Sequence, residues 1–366
     1  MKILHFADLH LDRPFKWLGD NRFAARKRRQ RLRSTLSKIV KLAQDEQVDA
    51  LFCGGDLYEH EYVTPDTAEF IRSKFEELAS IRVFIAPGNH DWYGPTSLYE
   101  RTEWSPNVHV FKTATLEPVR VEDRLTLWGA AHCSPANTDG FLRNFRADGD
   151  GINIALFHGS EEYWLTRQEQ GKKPYASFSR EDLLKSNLRH AFLGHFHTPR
   201  HEDLFTYPGN PDALDFGETG LRGAVLATIL ADGRVESEVR QVSSTDVHDV
   251  SLDITGCRTQ TEVLTKEHDA LADLKGFVRL TIRGELGAGV ELQIADLQSH
   301  QGSIDGLLVH RGTVTYGYDL GAIEKEQTVR GEFTRAVLSS SLSEGEKEKI
   351  LATGLRALEG RSDLEV

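Results

Sequence analysis

The stretch FIAPGNHDWYG, residues 84–94, begins as an apolar strand and then changes abruptly to the polar run Asn89, His90 and Asp91. Asparagine, aspartate and glycine are typical of tight turns, because they tolerate unusual backbone angles and bond to their own backbone. An amide, an imidazole and a carboxylate in succession are also a set of metal ligands. The choice between a turn and a metal site depends on whether other predicted strands end in matching side chains.

Four further predicted strands in the first 200 residues end in side chains that bind metals. They carry Asp8 and His10 in FADLH, Asp56 in CGGDLYE, His158 in LFHG, and His195 and His197 in LGHFH. Residues i and i+2 of an extended chain face the same way, so Asp-x-His and His-x-His can each aim two ligands at one point. In α/β sheets, sites collect at the carboxyl ends of the strands. Each motif alone is a weak signal, but together they predict one metal site.

The chemistry of these ligands narrows the choice of metal. Carboxylates, imidazoles and an amide, without a thiolate, suit manganese, iron or zinc. Seven such side chains exceed the needs of one tetrahedral ion, but they suit two ions that share a bridging carboxylate. Two divalent ions about 3.5–4 Å apart can hold a hydroxide and clamp the phosphate that it attacks. We therefore predict a site for two divalent metal ions.

The order of the predicted elements indicates the fold class. Apolar strands alternate with helical patterns in the first half, and the helix after the first strand carries the apolar stripe Leu32, Leu36, Ile39, Val40 and Ala43. A predicted β-hairpin then turns at Asp232-Gly233. This order predicts an α/β domain over residues 1–245, built as a layered sheet sandwich flanked by helices.

The composition changes after about Ser243, where the candidate ligands stop. We predict a small α+β accessory domain over residues 250–318 and a helical C-terminal tail over residues 319–366. The last helix begins with a capping box and carries the apolar stripe Ile350, Leu351, Leu355 and Leu358. That stripe fits either a helix that packs on its own chain or a surface that binds a partner.

The ordered motifs D-x-H, G-G-D, G-N-H-D, H and G-H-x-H resemble those of the calcineurin-like metallophosphoesterase superfamily, over about residues 1–240. The resemblance implies a four-layer α-β-β-α sandwich. It implies one ion on Asp8, His10 and His197, a second on Asn89, His158 and His195, and a bridging Asp56. It further implies that His90 faces the phosphate, where it stabilises the transition state or protonates the leaving oxygen. Asp91 would orient His90.

Details within the superfamily resemble two subgroups. YPGNPDALDFGETG, residues 207–220, is similar to a segment of the SbcD-type DNA repair exonucleases, whereas GNHDWYGPTSLYER and TVRGEF are more similar to the YhaO-type bacterial subgroup. These resemblances imply manganese-dependent cleavage of DNA and an SbcC-type ATPase partner bound through the C-terminal part. A homodimer also fits the family.

One position departs from the nuclease pattern. A histidine or aspartate often follows the bridging aspartate by three positions and aligns the active-site histidine, but here that position is Glu59. A glutamate can still accept a hydrogen bond, so the change is compatible with activity. We place Glu59 among the candidate substrate-side residues and leave the direction of exonuclease cleavage open.

Charge is distributed unevenly along the chain. The formal net charge of −12 is unfavourable for a protein that binds nucleic acid by phosphate contacts. The first 33 residues nevertheless hold ten Lys or Arg against three Asp. Within them, Arg22, Arg26, Arg29 and Arg33 would form one stripe on a helix. The stripe is either a solvated face or a surface that guides a polyanion to the site.

Cysteine usage and hydropathy indicate the compartment. Cys53, Cys133 and Cys257 are widely spaced, which predicts neither a disulfide framework nor a structural zinc site and favours a reducing environment. No apolar run approaches the roughly 18 residues of a transmembrane helix. The N-terminus turns polar by Asp8, unlike a signal peptide. We expect a cytoplasmic protein with no membrane partner.

Three functions are therefore weighed. The first is a dimetal exo- or endonuclease that acts on DNA in repair, with a metal-held hydroxide attacking the phosphate while His90 assists. The second is a phosphodiesterase that acts on nucleotides or small phosphoesters, which the net charge of −12 favours. The third is a non-catalytic scaffold that binds an ATPase through its tail helices.

Overall fold

The chain divides into two compact units, Met1–Thr245 and Asp246–Val366. The computed structural model describes residues 1–18, 22–136, 140–149, 151–167, 171, 173–299 and 302–361. In these ranges we find no helix that is long and apolar enough to cross a membrane. Each unit is described by itself.

The strands of the first unit form two sheets. In chain order they are β1 Lys2–Phe6, β2 Ala50–Cys53, β3 Arg82–Ile85, β4 Val108–Val110, β5 Glu117–Glu122, β6 Leu125–Gly129, β7 Ile152–His158, β8 His190–Gly194, β9 Arg200–His201, β10 Phe205–Tyr207, β11 Gly223–Ile229 and β12 Val235–Gln241. The orders are β12-β11-β1-β2-β3-β4 and β5-β6-β7-β8-β10-β9. The runs β1-β2-β3-β4 and β6-β7-β8-β10 are parallel, and the other pairs are antiparallel.

Successive side chains of each strand point to opposite faces of its sheet. Ile3 of β1 and Phe52 of β2 lie in the apolar cluster between the sheets, together with Phe192 of β8. Leu4 and Phe6 point the opposite way. Both faces of each parallel run are therefore apolar, and each needs a covering layer.

Helices cover the outer faces. They are α1 Arg22–Asp45, α2 Pro65–Glu76, α3 Leu98–Arg101, α4 Glu162–Arg167 and α5 Arg180–Lys185, with a 3-10 turn at Lys16–Leu18. Buried residues of α1 and α2, such as Leu36 and Phe75, share one cluster with Leu4 and Phe6. On the other sheet Leu183 of α5 packs with the outward residues of β7 and β8. The predicted α-β-β-α layering is confirmed.

Several predicted elements are found in the structure, and others were missed. The apolar stripe from Leu32 to Ala43 is buried along α1, and the predicted hairpin forms from β11 and β12, with Gly233 at a φ of +84° in the turn. Strands β5, β9 and β10 were not predicted. Strand β5 reads EPVRVE and has mostly exposed side chains at the edge of its sheet, so it lacks the apolar pattern of a buried strand.

The second unit contains a parallel sheet and helices. In chain order its elements are β13 Val247–Asp253, α6 Gln260–Leu271, β14 Gly276–Gly287, α7 Ile294–Gln298, β15 Ile304–Gly317, α8 Leu320–Ile323, α9 Val329–Leu338 and α10 Glu344–Leu358. The strand order is β13-β14-β15. The finer division into residues 250–318 and 319–366 stays a prediction, and residues 362–366 lie outside the described ranges.

Helix α10 packs on its own unit through one side. Leu351 and Leu355 of the predicted stripe are buried, whereas Ile350 and Leu358 remain 38% and 47% exposed. The guanidinium of Arg356 lies 3.5 Å from the centre of the Tyr316 ring and donates a hydrogen bond to a backbone carbonyl 3.0 Å away. The helix therefore docks on its own unit.

Candidate metal centre

The candidate ligands lie where parallel strands of the two sheets end. Neighbouring parallel strands run the same way, so their carboxyl ends lie along one edge of a sheet. Strands β1, β2 and β3 end at this edge in the first sheet, and β7 and β8 end there in the second. The strand ends and the loops after them carry the seven predicted ligands: Asp8, His10, Asp56, Asn89, His158, His195 and His197.

The backbone turns sharply at several of these residues. The φ angles of Asp8, His10, Asp56 and His195 are +55°, +52°, +51° and +104°. Such angles are uncommon outside glycine and cost about 1–3 kcal/mol each, and they persist only where the surroundings enforce them. Hydrogen bonds enforce the angles of Asp8 and His10, because each backbone amide donates to a carbonyl oxygen of the loop after β2 at a distance of 2.9 Å. Strained loop ends of this kind are common at functional sites.

The side chains of these loops meet at Asp56 and Asp8. Oδ2 of Asp56 lies 3.6 Å from Nε2 of His10 and 3.4 Å from Nε2 of His158. Oδ1 of Asp8 lies 3.8 Å from Nε2 of His197. Three overlapping groups could each hold a cation: Asp8 with His10 and His197, Asp8 with Asp56 and His158, and Asp56 with His10 and His90. Asp56 therefore lies between His10 and His158, as a bridging ligand would.

Hydrogen bonds orient two of the histidines from behind. Nδ1 of His10 lies 2.9 Å from Oε1 of Glu59, and Nδ1 of His158 lies 2.8 Å from the carbonyl oxygen of Gly54. Both partners accept hydrogen bonds, so the ring proton belongs on Nδ1 in each case. When the ring is neutral, this arrangement leaves the lone pair of Nε2 on the side of Asp56, as a metal ligand needs.

The other two histidines also face acceptors, His195 through Nε2 and His197 through Nδ1. Nε2 of His195 lies 3.2 Å from the carbonyl oxygen of Lys173, and the centre of its ring lies 5.2 Å from that of His158. His195 belongs to none of the three groups that could hold a cation. Nδ1 of His197 lies 2.5 Å from Oε1 of Glu218, which leaves Nε2 on the side of Asp8. Each of the four imidazoles thus has one nitrogen engaged by an acceptor.

Buried polar atoms without partners test whether a metal fits. Nε2 of His10, Nε2 of His158 and Oδ1 of Asn89 are buried and have no hydrogen-bond partner among the described residues. An unsatisfied buried polar atom costs about 1–3 kcal/mol. Cations would satisfy all three atoms, and nitrogen and oxygen donors suit manganese, iron or zinc. The residues fit a pair of divalent cations.

Glycines allow the loops to approach each other. A Cβ atom on Gly88 would lie 2.3 Å from Oδ1 of Asp56, and one on Gly194 would lie 2.8 Å from Nδ1 of His158. Real Cβ atoms do not approach other atoms so closely. The glycines of the G-N-H-D and G-H-x-H motifs are therefore required by the crowding of the site.

His90 lies beside the ligands at a more open position. Its side chain is 43% exposed, and its Nδ1 lies 2.8 Å from Oε2 of Glu59. Its backbone amide donates a hydrogen bond to Oδ1 of Asp56 at a distance of 2.8 Å. Glu59 is buried and uses its other oxygen on His10. Glu59 therefore contacts two histidines. The hydrogen bond with His90 fits the aligning position of the nuclease pattern, whereas the contact with His10 was not predicted.

The carboxylates dominate the electrostatics of the site. Burial favours the neutral form of Asp56, but the charges of His158 and His90 hold its pKa well below the usual range. Burial also opposes a charge on His158 and His90, yet the charge on Asp56 raises the pKa of each to about 9. Despite its burial, hydrogen bonds from His10 and His90 lower the pKa of Glu59. The site therefore stabilises positive charge.

The carboxylate of Asp91 is bonded to the backbone of the site. Its buried carboxylate accepts hydrogen bonds from the backbone amides of Asp56, Leu57 and Gly88, at 3.0, 2.7 and 2.6 Å, and from the Tyr99 hydroxyl at 2.6 Å. These bonds join the loop after β2 to the loop after β3. Glu59 contacts the His90 ring, and that Asp91 orients His90 stays a prediction.

The predicted arginine stripe divides into two parts. Arg22 and Arg26 at the start of α1 are exposed, and Arg29 is half-buried. Arg33 pairs with Asp66 at 2.6 Å and donates to the Thr67 hydroxyl at 2.6 Å. Arg33 is therefore engaged within the protein, and the stripe that can meet a polyanion is shorter than predicted.

A second arginine of the basic run is structural. Arg28 is fully buried and lies 3.0 Å from Oδ1 of Asp212 and 2.8 Å from the Thr245 hydroxyl. Sequence reading missed Arg28, Asp212 and Glu218 as residues that shape the site. The segment of residues 207–220 contains both acids, but its sequence does not show what they contact, and Arg28 lies outside it.

Comparisons with known proteins find a family pattern and two relatives. The pattern of the calcineurin-like phosphoesterases matches residues 1–199. The uncharacterized metallophosphoesterase YhaO of Bacillus subtilis strain 168 is 28% identical over 303 residues, which cover 78% of this chain and 72% of that protein. The SbcD component of the nuclease SbcCD, from the same strain, is 23% identical over 269 residues, which cover 62% of this chain and 65% of that protein.

Two solved structures align with part of the chain. TT1561 of Thermus thermophilus aligns with a TM-score of 0.36 and 16% identity, over 65% of this chain and 98% of that one. The E. coli phosphoesterase Yfce aligns with a TM-score of 0.26 and 12% identity, over 65% and 99%. The family pattern spans more than half of the chain and includes every strand end of the site. This chain belongs to the calcineurin-like phosphoesterase family.

Proposed function

We propose that this protein is a dimetal phosphodiesterase that cleaves DNA. The ligands we propose are Asp8, His10 and His197 for one ion, Asn89, His158 and His195 for the other, and Asp56 as the bridge. The observation that carries the proposal is the orientation of three histidines, because hydrogen bonds behind the rings of His10, His158 and His197 leave each Nε2 on the side of Asp56 or Asp8. Manganese is the ion we propose, with iron and zinc as the other ions that suit this donor set.

Among the side chains of the protein, His90 is the one that we propose to act on the phosphate. Bound divalent ions supply Lewis acidity toward the phosphate and lower the pKa of water. Glu59 holds Nδ1 of His90, which leaves Nε2 of this exposed ring for the substrate. From there His90 can donate a hydrogen bond to a phosphate oxygen or a proton to the leaving oxygen. Asp91 keeps the loops of Asp56 and Gly88 together while this happens.

DNA as the substrate is supported by two observations. One relative is the SbcD component of the nuclease SbcCD, although it is only 23% identical. The basic start of α1 carries Arg22, Arg26 and Arg29, and basic side chains bind phosphates by releasing counterions. Glu59 is not proposed as a substrate contact, because both of its oxygens are engaged by histidines.

The test is cleavage of linear DNA by the purified protein with added manganese. Asp56→Ala should abolish cleavage, and His90→Ala should reduce it by about 10²–10⁴-fold. His109→Ala, an exposed histidine on β4, is the matched control and should cleave like the wild type. Cleavage that survives the substitution of Asp56 would mean that the activity comes from another site or another protein.

A small phosphodiester or nucleotide is the second candidate substrate. The net charge of −12 favours it, since an acidic protein gains little from non-specific attraction to DNA. We would compare turnover of DNA and of a small chromogenic diester across a salt series. A steep fall in turnover with rising salt that is seen for DNA alone supports DNA as the substrate. In the variant Arg22→Ala/Arg26→Ala that fall should be smaller. Equal salt responses for both substrates support the small diester.

An SbcC-type ATPase is the partner we propose for the second unit. The motivation is the similarity to the SbcD component of the nuclease SbcCD and the exposed apolar residues Val329, Ile350 and Leu358. The test is binding of the purified ATPase to the full chain and to the variant Ile350→Asp/Leu358→Asp. Binding by the wild type alone supports the proposal, and equal or absent binding contradicts it.

A further inference from the structure

The loop between β10 and β11 places the carboxylate of Glu218 against His197, a candidate metal ligand. Oε1 of Glu218 lies 2.5 Å from Nδ1 of His197. Its Oε2 accepts hydrogen bonds from Nδ2 of Asn210 at 2.5 Å and from the backbone amides of Leu214 at 2.6 Å and Asp215 at 3.4 Å. The two oxygens therefore have separate tasks, since one meets the imidazole and the other closes the loop.

The loop is itself fastened to the same histidine. Arg222 is buried and donates hydrogen bonds to the carbonyl oxygen of His197 and to the side-chain oxygen of Asn210. Asn210 in turn donates to Glu218 and to the carbonyl oxygen of Asp212. The carboxylate of Glu218 is thus held in place by groups that also hold the backbone of His197. A side chain fixed in this way can impose an orientation on the ring that it contacts.

The contact also decides which ring nitrogen carries the proton. A carboxylate only accepts hydrogen bonds, so it requires N–H at Nδ1 of His197. Nε2, which faces Asp8 at 3.8 Å, then keeps a lone pair. We propose that Glu218 is a positioning residue that sets the tautomer and ring orientation of His197. Its consequence for metal binding rests on the proposed dimetal function, whereas its effect on the tautomer does not.

The substitution Glu218→Gln gives a sharp prediction. Three donors face Oε2, so the amide oxygen of the glutamine takes that position and its NH₂ group turns to His197. An NH₂ group donates, so Nδ1 of His197 must become the acceptor and the proton must move to Nε2. The ring then presents N–H where a metal would bind. The loop keeps its backbone hydrogen bonds, so folding is preserved.

The first experiment needs neither metal nor substrate. Long-range ¹H–¹⁵N spectra of the metal-free full chain, labelled at histidine, report which ring nitrogen is protonated, and His197→Gln identifies the signal of His197. We expect N–H at Nδ1 in the wild type and at Nε2 in Glu218→Gln. The control is Asp215→Asn, an exposed carboxylate three residues away, which should give the wild-type spectrum. An unchanged tautomer in Glu218→Gln overturns the inference.

The second experiment measures manganese binding by calorimetry on the wild type, Glu218→Gln and Asp215→Asn, together with their thermal unfolding. Loss of a carboxylate behind a ligating histidine typically weakens metal binding by about 10- to 100-fold. We expect that loss for one of two ions in Glu218→Gln, with wild-type binding in Asp215→Asn and similar unfolding temperatures for all three. Wild-type affinity in Glu218→Gln contradicts the inference. If the wild type itself binds no ion, the proposed function fails, and the tautomer experiment still decides the role of Glu218.

Discussion

Glu59 contacts both a candidate metal ligand and the candidate proton donor of the site. Its Oε1 lies 2.9 Å from Nδ1 of His10, a candidate metal ligand, and its Oε2 lies 2.8 Å from Nδ1 of His90, the candidate proton donor. One carboxylate therefore fixes both rings, and a change in its position disturbs both. The histidine or aspartate of the nuclease pattern is replaced here by a residue long enough to span two imidazoles.

We expect Glu59→Ala to reduce phosphodiester hydrolysis by about 10- to 100-fold, since supporting carboxylates of ligating histidines have effects of that size. The loss should appear in the maximal rate as well as in metal affinity, because His90 loses its support too. The measurement is turnover of a small diester at saturating manganese. Glu61→Ala, an exposed glutamate two residues away, is the control and should turn over like the wild type.

The ligands were predictable from sequence at this scale, but their supports were not. Asp8, His10 and Asp56 stand in short motifs after apolar strands, and such motifs are visible in a linear chain. Asp91 also stands in a motif, yet its carboxylate binds backbone amides and not the His90 ring. Which acid meets which imidazole depends on how separate loops approach each other, and spacing along the chain does not contain that information.

Helix α1 is attached to the loop that carries Glu218 by a buried ion pair. Arg28 and Asp212 have fully buried side chains whose charged atoms are 3.0 Å apart. Asp212 also accepts from the Thr35 hydroxyl at 2.6 Å and from the Ser244 amide at 2.9 Å. A pair so completely surrounded leaves a charge without compensation when one partner is removed.

We expect Arg28→Ala to lower the free energy of unfolding by about 3–5 kcal/mol, because Asp212 would remain buried without its cation. Arg26→Ala, on the exposed side of the same helix, is the control and should change stability by less than about 0.5 kcal/mol. Urea unfolding followed by circular dichroism measures both. Similar losses in the two variants would contradict a structural role for the buried pair.

Strand β8 is connected to β10 by a buried histidine. Nε2 of His190 lies 2.9 Å from the Thr206 hydroxyl, and Nδ1 lies 3.2 Å from the carbonyl oxygen of Asp203. Burial lowers the pKa of His190 to about 4; the Asp203 carbonyl and carboxylate oppose the shift, and His201 adds to it. The native state therefore disfavours a proton that an unfolded histidine accepts below about pH 6.5.

This pKa shift predicts a pH dependence of stability. The contribution of His190 is complete above about pH 6.5 and is lost as the pH falls toward 4, because protons then favour the unfolded chain. Between about pH 7 and pH 5 the wild type should lose about 2 kcal/mol more than His190→Gln, which cannot titrate. Urea unfolding at both pH values measures the difference. The same loss in both proteins would contradict the assignment.

Long amphipathic elements were the predictable part of the fold. The stripe of α1 and the alternation of β14 follow directly from side-chain periodicity, and Val278, Leu280 and Ile282 are buried as that pattern predicts. The short strands β9 and β10 were missed, since two or three residues contain no period to detect. Strand β10 pairs with β8, which lies earlier in the chain, and β9 pairs with β10.

All proposed ligands belong to the first of the two units, Met1–Thr245. That unit also contains the cluster between the sheets and the clusters under its helices. Its last residue, Thr245, accepts a hydrogen bond from the buried Arg28. The first unit therefore has its own core, and its last residue is hydrogen-bonded to a buried side chain of the same unit.

We expect a chain of residues 1–245 to hydrolyse a small phosphodiester at a rate within about threefold of the full chain. A chain that stops at Ser243 should be less stable, since it lacks Thr245 and the Ser244 groups that contact Arg31 and Asp212. Turnover and thermal unfolding of both truncations measure this. A folded 1–245 chain without activity would show that the second unit contributes to catalysis.

The central claim is that seven side chains from separate strand ends hold two ions. It is tested most directly by anomalous scattering from crystals soaked in manganese. We predict two peaks, one among Asp8, His10 and His197 and the other among Asn89, His158 and His195, with Asp56 in contact with both. No peak, or peaks away from these residues, would contradict the claim.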